Sequence, residues 1–301
     1  MAAKNRRLAL VFVFLVPATF ASNMLAARWV AGDIPPVAMA FWRWTLTLAI
    51  LLPFVAGALW RGREELRRDW RGFLFLGFLG MGVCGAPVYL AGVTTTATNI
   101  GLIYAASPVL IVLFAKFGYG EAVGARRAFG IALALAGTLW IVARGDPGAL
   151  LRLDFVPGDL LIVVAMAAWS VYSVLLKHRP TGFDPTTRLA AIVAGGVLVN
   201  LPLLIGEAAL YASAEYGARD WLVFLFLALV PEIGSYLGYS IVVGALGAGA
   251  ASLVMYLIPL YNAVLAWALL DERLAVFHLV GAALLLPGLY LGTLTPKTRA
   301  S

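Results

Sequence analysis

The sequence predicts an all-α polytopic membrane protein, with ten transmembrane helices arranged as two inverted five-helix repeats around a central cavity. Three observations support this prediction: a composition suited to lipid, ten apolar runs of spanning length, and a motif that recurs at a fixed offset. Hydrophobic residues make up 62% of the 301 positions and charged residues only 12%. Soluble domains are about half apolar and a quarter charged, so a soluble chain of this length could not bury so much apolar surface.

Each predicted helix is a mostly apolar run of about the 20 residues that a bilayer requires. The first run follows three basic residues, as a signal peptide would, but it is longer than a typical signal core and we expect a permanent helix. The halves are predicted to comprise residues 1–150 and 151–301. The ten predicted helices cover residues 8–30, 34–59, 72–94, 98–118, 125–143, 158–178, 186–207, 220–243, 248–270 and 274–294.

The distribution of basic residues predicts the orientation in the membrane, because Lys and Arg concentrate in short cytoplasmic loops. With the N-terminus inside, sixteen of the 22 Lys and Arg residues fall in cytoplasmic segments, five in outer segments and one, Arg43, within a helix. We therefore predict cytoplasmic N- and C-termini in a bacterial inner (plasma) membrane. This topology accounts for the net charge of +7, so we expect the lipid bilayer as a partner, no nucleic acid and no obligate protein partner.

A motif recurs 151 positions apart, in the stretches SPVLIVLFAKFGYGE (107–121) and IPLYNAVLAWALLDE (258–272). A proline, a glutamate and two glycines keep the same spacing in both copies without a gap. Two homologous halves of five helices each must lie in opposite orientations, and such inverted repeats enclose a central site that opens to either side. The repeated residues are Pro108, Glu121, Gly130 and Gly137 in the first copy, and Pro259, Glu272, Gly281 and Gly288 in the second.

With ten helices and this repeated motif, the chain resembles the drug/metabolite transporter superfamily, and within it the EamA-type group. That group includes bacterial exporters of aromatic and neutral amino acids. The resemblance extends from Leu8 to about Leu294, and it implies a basket-shaped bundle that moves small metabolites outward. The two copies differ in one respect: the second ends its first helix in DER (271–273), the usual family ending, whereas the first has GYGEAVGARR (118–127).

Arg43 and Glu232 are the two ionisable residues predicted to lie deep within spans, where charged side chains are costly and usually functional. Glu232 directly follows Pro231, which is expected to bend its helix. It is predicted to contact a substrate ammonium, to carry a proton or to act as a gate, unless it is a structural carboxyl bonded to a neighbouring helix. Arg43 is expected to bind a substrate carboxylate, to pair with Glu232 or to bond backbone carbonyls.

Further candidates are polar or aromatic residues within the predicted spans. Buried Tyr and Trp need partners for their polar atoms, which a cavity for amphipathic solutes would supply; packing between helices is the alternative for each. Trp169 and Tyr172 lie three residues apart and are expected to face inward together. The predicted cavity residues are Asn23, Trp42, Arg43, Tyr89, Trp169, Tyr172, Glu232, Tyr236, Tyr239, Tyr256 and Asn262, and the predicted hinge or gate residues are Pro108, Pro231 and Pro259.

These features favour a secondary transporter that exports small metabolites, amino acids first among them, by alternating access. The sequence has no Walker-type glycine loop, metal-ligand spacing or catalytic triad. We accordingly predict no cofactor, no metal and no catalytic residue. The alternatives are an exporter of other metabolites or drugs, a channel, and an intramembrane enzyme. The sequence leaves the substrate and the coupling ion open.

Overall fold

The computed structural model describes residues 2–29, 33–151, 154–210, 215–270 and 273–293. Throughout these ranges the regular structure is helical. The principal helices are α1 Ala2–Trp29, α2 Pro36–Arg61, α3 Trp70–Ala91, α4 Ala97–Ala105 continued by Ser107–Tyr119, α5 Ala125–Val142, α6 Pro157–His178, α7 Pro185–Leu210, α8 Ala218–Leu246, α9 Ala248–Ala251 continued by Ser252–Leu257 and Ile258–Leu270, and α10 Val276–Thr293.

The predicted ten-helix fold is confirmed. Nine segments, within α2 to α10, are long and apolar enough to cross a bilayer in the described part of the chain, and α1 contains a shorter apolar stretch, Leu8–Asn23. Most helix ends lie within three residues of the predicted ones, because the apolar runs end where charged or turn-forming residues begin. Glu272 of the repeated motif lies outside the described residues.

Helices α5 and α10 pack against each other through the repeated glycines. A Cβ atom on Gly130 would lie 2.7 Å from the carbonyl oxygen of Gly288, and one on Gly288 would lie 2.7 Å from that of Gly130. Gly137 and Gly281 make the same reciprocal approach, at 2.6 and 2.9 Å. The start of α5 therefore meets the end of α10 and the reverse, so the two helices are antiparallel. Because the glycines correspond at the repeat offset, the contact has the self-complementary form of a twofold axis.

Both halves also depart from α-helical geometry at matching places. A π-helical segment occupies Phe78–Val83 in α3 and Ala228–Leu237 in α8, and the two overlap when the offset of 151 is applied. In α3 the wider turn is visible as a hydrogen bond from the Cys84 backbone N–H to the Leu79 carbonyl, five residues earlier. In α8 the segment contains Pro231, which cannot donate a backbone hydrogen bond. Such π segments often occur at functional sites.

The two π segments meet the opposite half of the molecule. At the start of the segment in α3, a Cβ atom on Gly77 would lie 2.4 Å from the backbone nitrogen of Gly196 in α7. At the matching place in α8, the carbonyl of Ala228 accepts a 3.5 Å hydrogen bond from Thr47 of α2. The third helix of each half thus packs against the second helix of the other half, α3 against α7 and α8 against α2. The middle of the bundle lies between these two contacts.

Candidate functional site

Arg43 and Glu232 form an ion pair in the interior of the bundle. Nη1 of Arg43, on α2, lies 2.9 Å from Oε1 of Glu232, on α8, and the two side chains are only 3% and 2% exposed. The pair therefore joins the first half of the chain to the second. Of the roles left open by the sequence, the structure shows direct pairing of the two residues.

Two further side chains of the first half hold the guanidinium of Arg43. The same Nη1 donates hydrogen bonds to the hydroxyl of Tyr89, on α3, at 2.5 Å and to Oδ1 of Asn23, on α1, at 3.4 Å. Tyr89 in turn donates to Asn23 at 3.1 Å. The guanidinium carbon lies 5.0 Å from the Tyr89 ring centroid and 5.3 Å from that of Trp44. Arg43 is thus held by side chains from three other helices. The four connected residues, called here the polar group, are Asn23, Arg43, Tyr89 and Glu232.

The π segment of α8 sets the position of Glu232. It places Glu232, Ser235 and Tyr236 in the protein interior, each buried. Ser235 shares a 2.8 Å hydrogen bond with the hydroxyl of Thr19 on α1, and the Tyr236 hydroxyl donates to the carbonyl of Gly80, in the π segment of α3, at 2.7 Å. The segment is therefore anchored to α1 and to α3 within one helical turn after Glu232.

A cluster of rings adjoins the ion pair. Trp44 and Tyr236 meet edge to face at 4.9 Å between centroids, and Trp169 lies 5.4 to 5.6 Å from Tyr172 and from Tyr236. The aromatic cluster comprises Phe20, Trp44, Trp169, Tyr172, Tyr236 and Tyr239. All but Phe20 are buried. Because these rings pack against one another in this conformation, a solute could reach the ion pair only after the helices move apart.

Two of the predicted cavity residues, Trp42 and Tyr256, pack elsewhere, and a third, Asn262, stays a prediction. Trp42 packs against Trp221, 5.1 Å away, and against Tyr216, near the start of α8. Tyr256 is buried where α9 meets α5, and its carbonyl accepts a hydrogen bond from Thr138. Asn262 is half-buried on α9.

The other predicted cavity residues are brought together. Asn23, Arg43, Tyr89 and Glu232 belong to the polar group, and Trp169, Tyr172, Tyr236 and Tyr239 belong to the aromatic cluster.

Sequence reasoning did not select Trp44, whose ring meets the guanidinium of Arg43, or Thr19, which bonds Ser235 in the same π segment as Glu232. Trp44 directly follows Arg43, and Thr19 lies one helical turn before Asn23. Because residues four apart lie on the same face of a helix, the selection of Asn23 could have led to Thr19 as well.

The predicted hinge prolines follow or occupy irregular helix. Pro108 comes after a tight turn in α4, where the Ala106 N–H bonds to the carbonyl of Ile103, and Pro259 comes after the 3₁₀ segment Ser252–Leu257 of α9. These turns correspond at the repeat offset. The hinge role remains a prediction that this geometry favours, because irregular turns are where a helix can bend.

One end of the bundle, called here the arginine-rich end, carries residues 61–71, 120–124 and 178–184. There the carboxylate of Glu121 accepts a 2.7 Å bond from Lys177 and lies 2.8 Å from Nε2 of His178. Partial burial acts to raise the pKa of Glu121, but hydrogen bonds and the positive charge from α6 outweigh burial and lower it. Glu121 follows α4 and its partners end α6, so this contact also joins the two halves.

The opposite end is closed by different contacts. The carboxylate of Glu207, on α7, accepts bonds from the backbone N–H groups of Val37 and Ala38 at 2.9 and 2.7 Å, which satisfies free donors at the start of α2. Asp33 pairs with Arg219 at 3.0 Å, and both side chains are about half exposed. Contacts between the halves thus hold both ends of the bundle in this conformation.

Comparison with known proteins agrees with this architecture. The model of the EamA-like transporter family matches the chain twice, over residues 7–143 and 156–294. A crystal structure shares the fold with a TM-score of 0.75 at 21% identity, over 97% of this chain and 99% of that one.

Several curated proteins are similar along most of their length. An uncharacterized transporter of Bacillus subtilis (strain 168) is 24% identical, over 87% of this chain and 86% of that protein. A probable amino-acid metabolite efflux pump of Escherichia coli (strain K12) is 23% identical, over 93% of each. A probable terminal-alkyne amino-acid exporter of Streptantibioticus cattleyicolor is 27% identical, over 82% of this chain and 80% of that protein. Since the family model covers nearly the whole chain in two copies, the protein belongs to the EamA-like transporter family.

Proposed function

We propose that the protein is a secondary transporter that exports small metabolites, amino acids first among them, by alternating access. The observation that carries this proposal is the Arg43–Glu232 ion pair, which lies buried between the two halves. Charged groups at such depth are retained where a polar solute must pass. Two relatives are named as an efflux pump and an exporter for amino-acid compounds, which supports the substrate class and the outward direction.

The inverted halves support alternating access. Contacts between halves close both ends of the bundle, through Glu121 with α6 and through Glu207 with α2. Release of one set at a time, by rocking of one half against the other, would open the central group to one side only. The aromatic cluster is then the surface that meets the apolar part of the solute. Residues 1–150 and 151–301 are the proposed moving units.

Flux into proteoliposomes tests this function. Purified protein is reconstituted with one labelled amino acid, and the twenty amino acids with several nucleobases compete for its uptake. Saturable flux that amino acids compete for and that shows counterflow supports the carrier. Ohmic current without saturation indicates a channel. Competition by nucleobases but not by amino acids would show that amino acids are not the substrates. Vesicles that lack the protein are the control.

We also propose a bacterial inner membrane location with both termini cytoplasmic. Single cysteines introduced near each terminus, in a Cys84→Ala background, should both react with an impermeant thiol reagent only after the cells are opened. Labelling of one terminus in intact cells would contradict the inverted arrangement of the repeats.

A further inference from the structure

The ion pair leaves hydrogen-bonding capacity unused at its own position. Nε of Arg43 and Nε1 of the adjacent Trp44 are buried and have no hydrogen-bond partner among the described residues. Buried donors of this kind usually have a partner in a working protein. The guanidinium uses Nη1 to bind Glu232, Tyr89 and Asn23. Free donors therefore remain beside the pair, where an acceptor such as a carboxylate would satisfy them.

The pair also restricts which solute can enter. Each side chain is almost fully buried, and removing one member of a buried ion pair leaves an uncompensated charge. A solute that binds Arg43 alone would leave Glu232 without its cation. A solute that binds Glu232 alone would leave Arg43 without its anion. Only a solute that supplies both charges, close together, keeps both residues paired when the site opens.

We propose that the transported solute replaces each partner of the Arg43–Glu232 pair, its carboxylate binding Arg43 and its ammonium binding Glu232, so that the site selects a zwitterion. This inference rests on the proposed function and names how its site recognises the solute. The charges balance without a proton: two opposite charges separate, and two opposite charges on the solute pair with them. A monoanion or a monocation does not balance in this way.

Tyr89 and Asn23 are positioning residues for this exchange. They hold the guanidinium from α1 and α3 while its bond to α8 opens. The apolar part of the solute would lie against the aromatic cluster, which reaches the pair through Trp44. The polar group therefore recognises the charges common to all amino acids, and the cluster distinguishes their side chains.

Binding of matched compounds to the purified full-length protein tests the inference. The compounds are phenylalanine, phenethylamine, which lacks the carboxylate, and 3-phenylpropanoate, which lacks the ammonium; the leucine series provides a second set. Affinity is measured by calorimetry in detergent, where membrane permeation does not interfere. We expect the amine and the acid to bind at least about 100-fold more weakly than the amino acid, because each strands one buried charge. Binding of all three within threefold, or of none, would overturn the inference.

The variant Glu232→Gln provides a second measurement with a specific signature. It removes the carboxylate that binds the ammonium but keeps Arg43. The affinity for the acid should therefore rise relative to that for the amino acid, and the two affinities should differ by no more than about tenfold. Uniform weakening with the preference unchanged would contradict the proposed roles.

If that variant does not fold, Tyr89→Phe keeps both charges and tests whether Arg43 binds the carboxylate of the solute. It should weaken the amino acid and the acid by the same factor and leave the amine unchanged. Equal weakening of all three compounds would contradict the inference. Transport is scored separately: selective binding without saturable flux would reject the exporter function and leave the recognition intact.

Discussion

The π segments of α3 and α8 occupy matching places in the two halves but carry different chemistry. Glu232, in the second half, is paired with Arg43 of α2. The residue 151 positions earlier is Met81, which is fully buried against α7, where its carbonyl accepts a 3.3 Å bond from Asn200. The backbone irregularity is thus common to both halves, whereas the charge is present in one. The difference indicates that the repeat builds the scaffold, whereas residues without a counterpart in the other half supply the charged site.

The α5–α10 contact, in contrast to the π segments, uses the same chemistry in both halves. Gly130 and Gly288 approach each other as Gly137 and Gly281 do, so both halves contribute the same residue type at matching positions. Features shared by the halves specify packing, and features present in one half specify chemistry. Four predictions test this distinction.

The largest effect is expected when both members of the ion pair are made apolar. The double variant Arg43→Met/Glu232→Leu should lose transport by at least 100-fold, since no charged group remains to bind the solute. It should still fold, because buried ion pairs replaced by apolar residues often leave stability unchanged. Glu232→Leu alone should lower the free energy of unfolding by about 3–5 kcal/mol, because it leaves Arg43 unpaired. Flux and thermal unfolding in detergent measure the two effects.

The matched control is Met81→Leu in the first half, a swap of similar volume that should cost less than about 1.5 kcal/mol and leave transport unchanged. Loss of transport in this control would show that the π segment of the first half also contributes to the site. Transport by the double variant would remove the ion pair from the mechanism.

The next effect concerns the symmetric contact. Gly137→Ala and Gly288→Ala should each destabilise the protein by about 1–3 kcal/mol, because the added Cβ would lie within 3 Å of the facing backbone in both. The two losses should be similar, since the positions are equivalent. Gly206→Ala is the control, as a Cβ there meets nothing within 4 Å. Unfolding temperatures that differ widely between the two variants would show that the contact is not symmetric in energy.

A smaller effect is expected in the aromatic cluster. Trp169→Ala removes ring contacts to Tyr172, Tyr236 and Tyr239, and such contacts contribute about 0.5–1.5 kcal/mol each. A large side chain of the solute, proposed to lie against this cluster, would lose a contact of the same size, so export of large amino acids should fall about tenfold more than export of alanine. Trp42→Ala, at the opposite end from the arginine-rich loops, should affect large and small substrates alike. Equal loss for all substrates in Trp169→Ala would indicate a packing role only.

The smallest effect is expected at the arginine-rich end. Glu121→Gln should cost about 1 kcal/mol or less, because the partners are partly exposed. The pKa of Glu121 is lowered from its ordinary 4.5. The stabilisation is therefore present above pH 4.5 and is lost as the pH falls through the lower folded-state value. The free energies of unfolding of the wild type and the variant should differ at pH 7 and become equal in acid. A difference that persists in strong acid would contradict the ionic origin.

Particular residues show how far sequence reasoning reached. Arg43 and Glu232 could be selected because ionisable residues are rare in apolar runs, and their pairing could be named as one option among several. Trp42 was selected and Trp44 was not, although they flank the same arginine. Adjacent residues on a helix point about 100° apart, so only the rotation of α2 against its neighbours determines which ring faces the centre. Tyr256 was likewise selected for its depth in the membrane, which does not determine the direction in which its side chain points.

The sequence by itself determined the spans, the repeat and the rare ionisable residues, because apolar length, spacing and charge are properties of local segments. Only the tertiary structure decided that Arg43 meets Glu232, that α5 and α10 touch through reciprocal glycines, and that the rings of both halves close over the ion pair. Those contacts join residues up to about two hundred positions apart. They depend on how ten helices rotate and pack against one another, which local patterns leave undetermined.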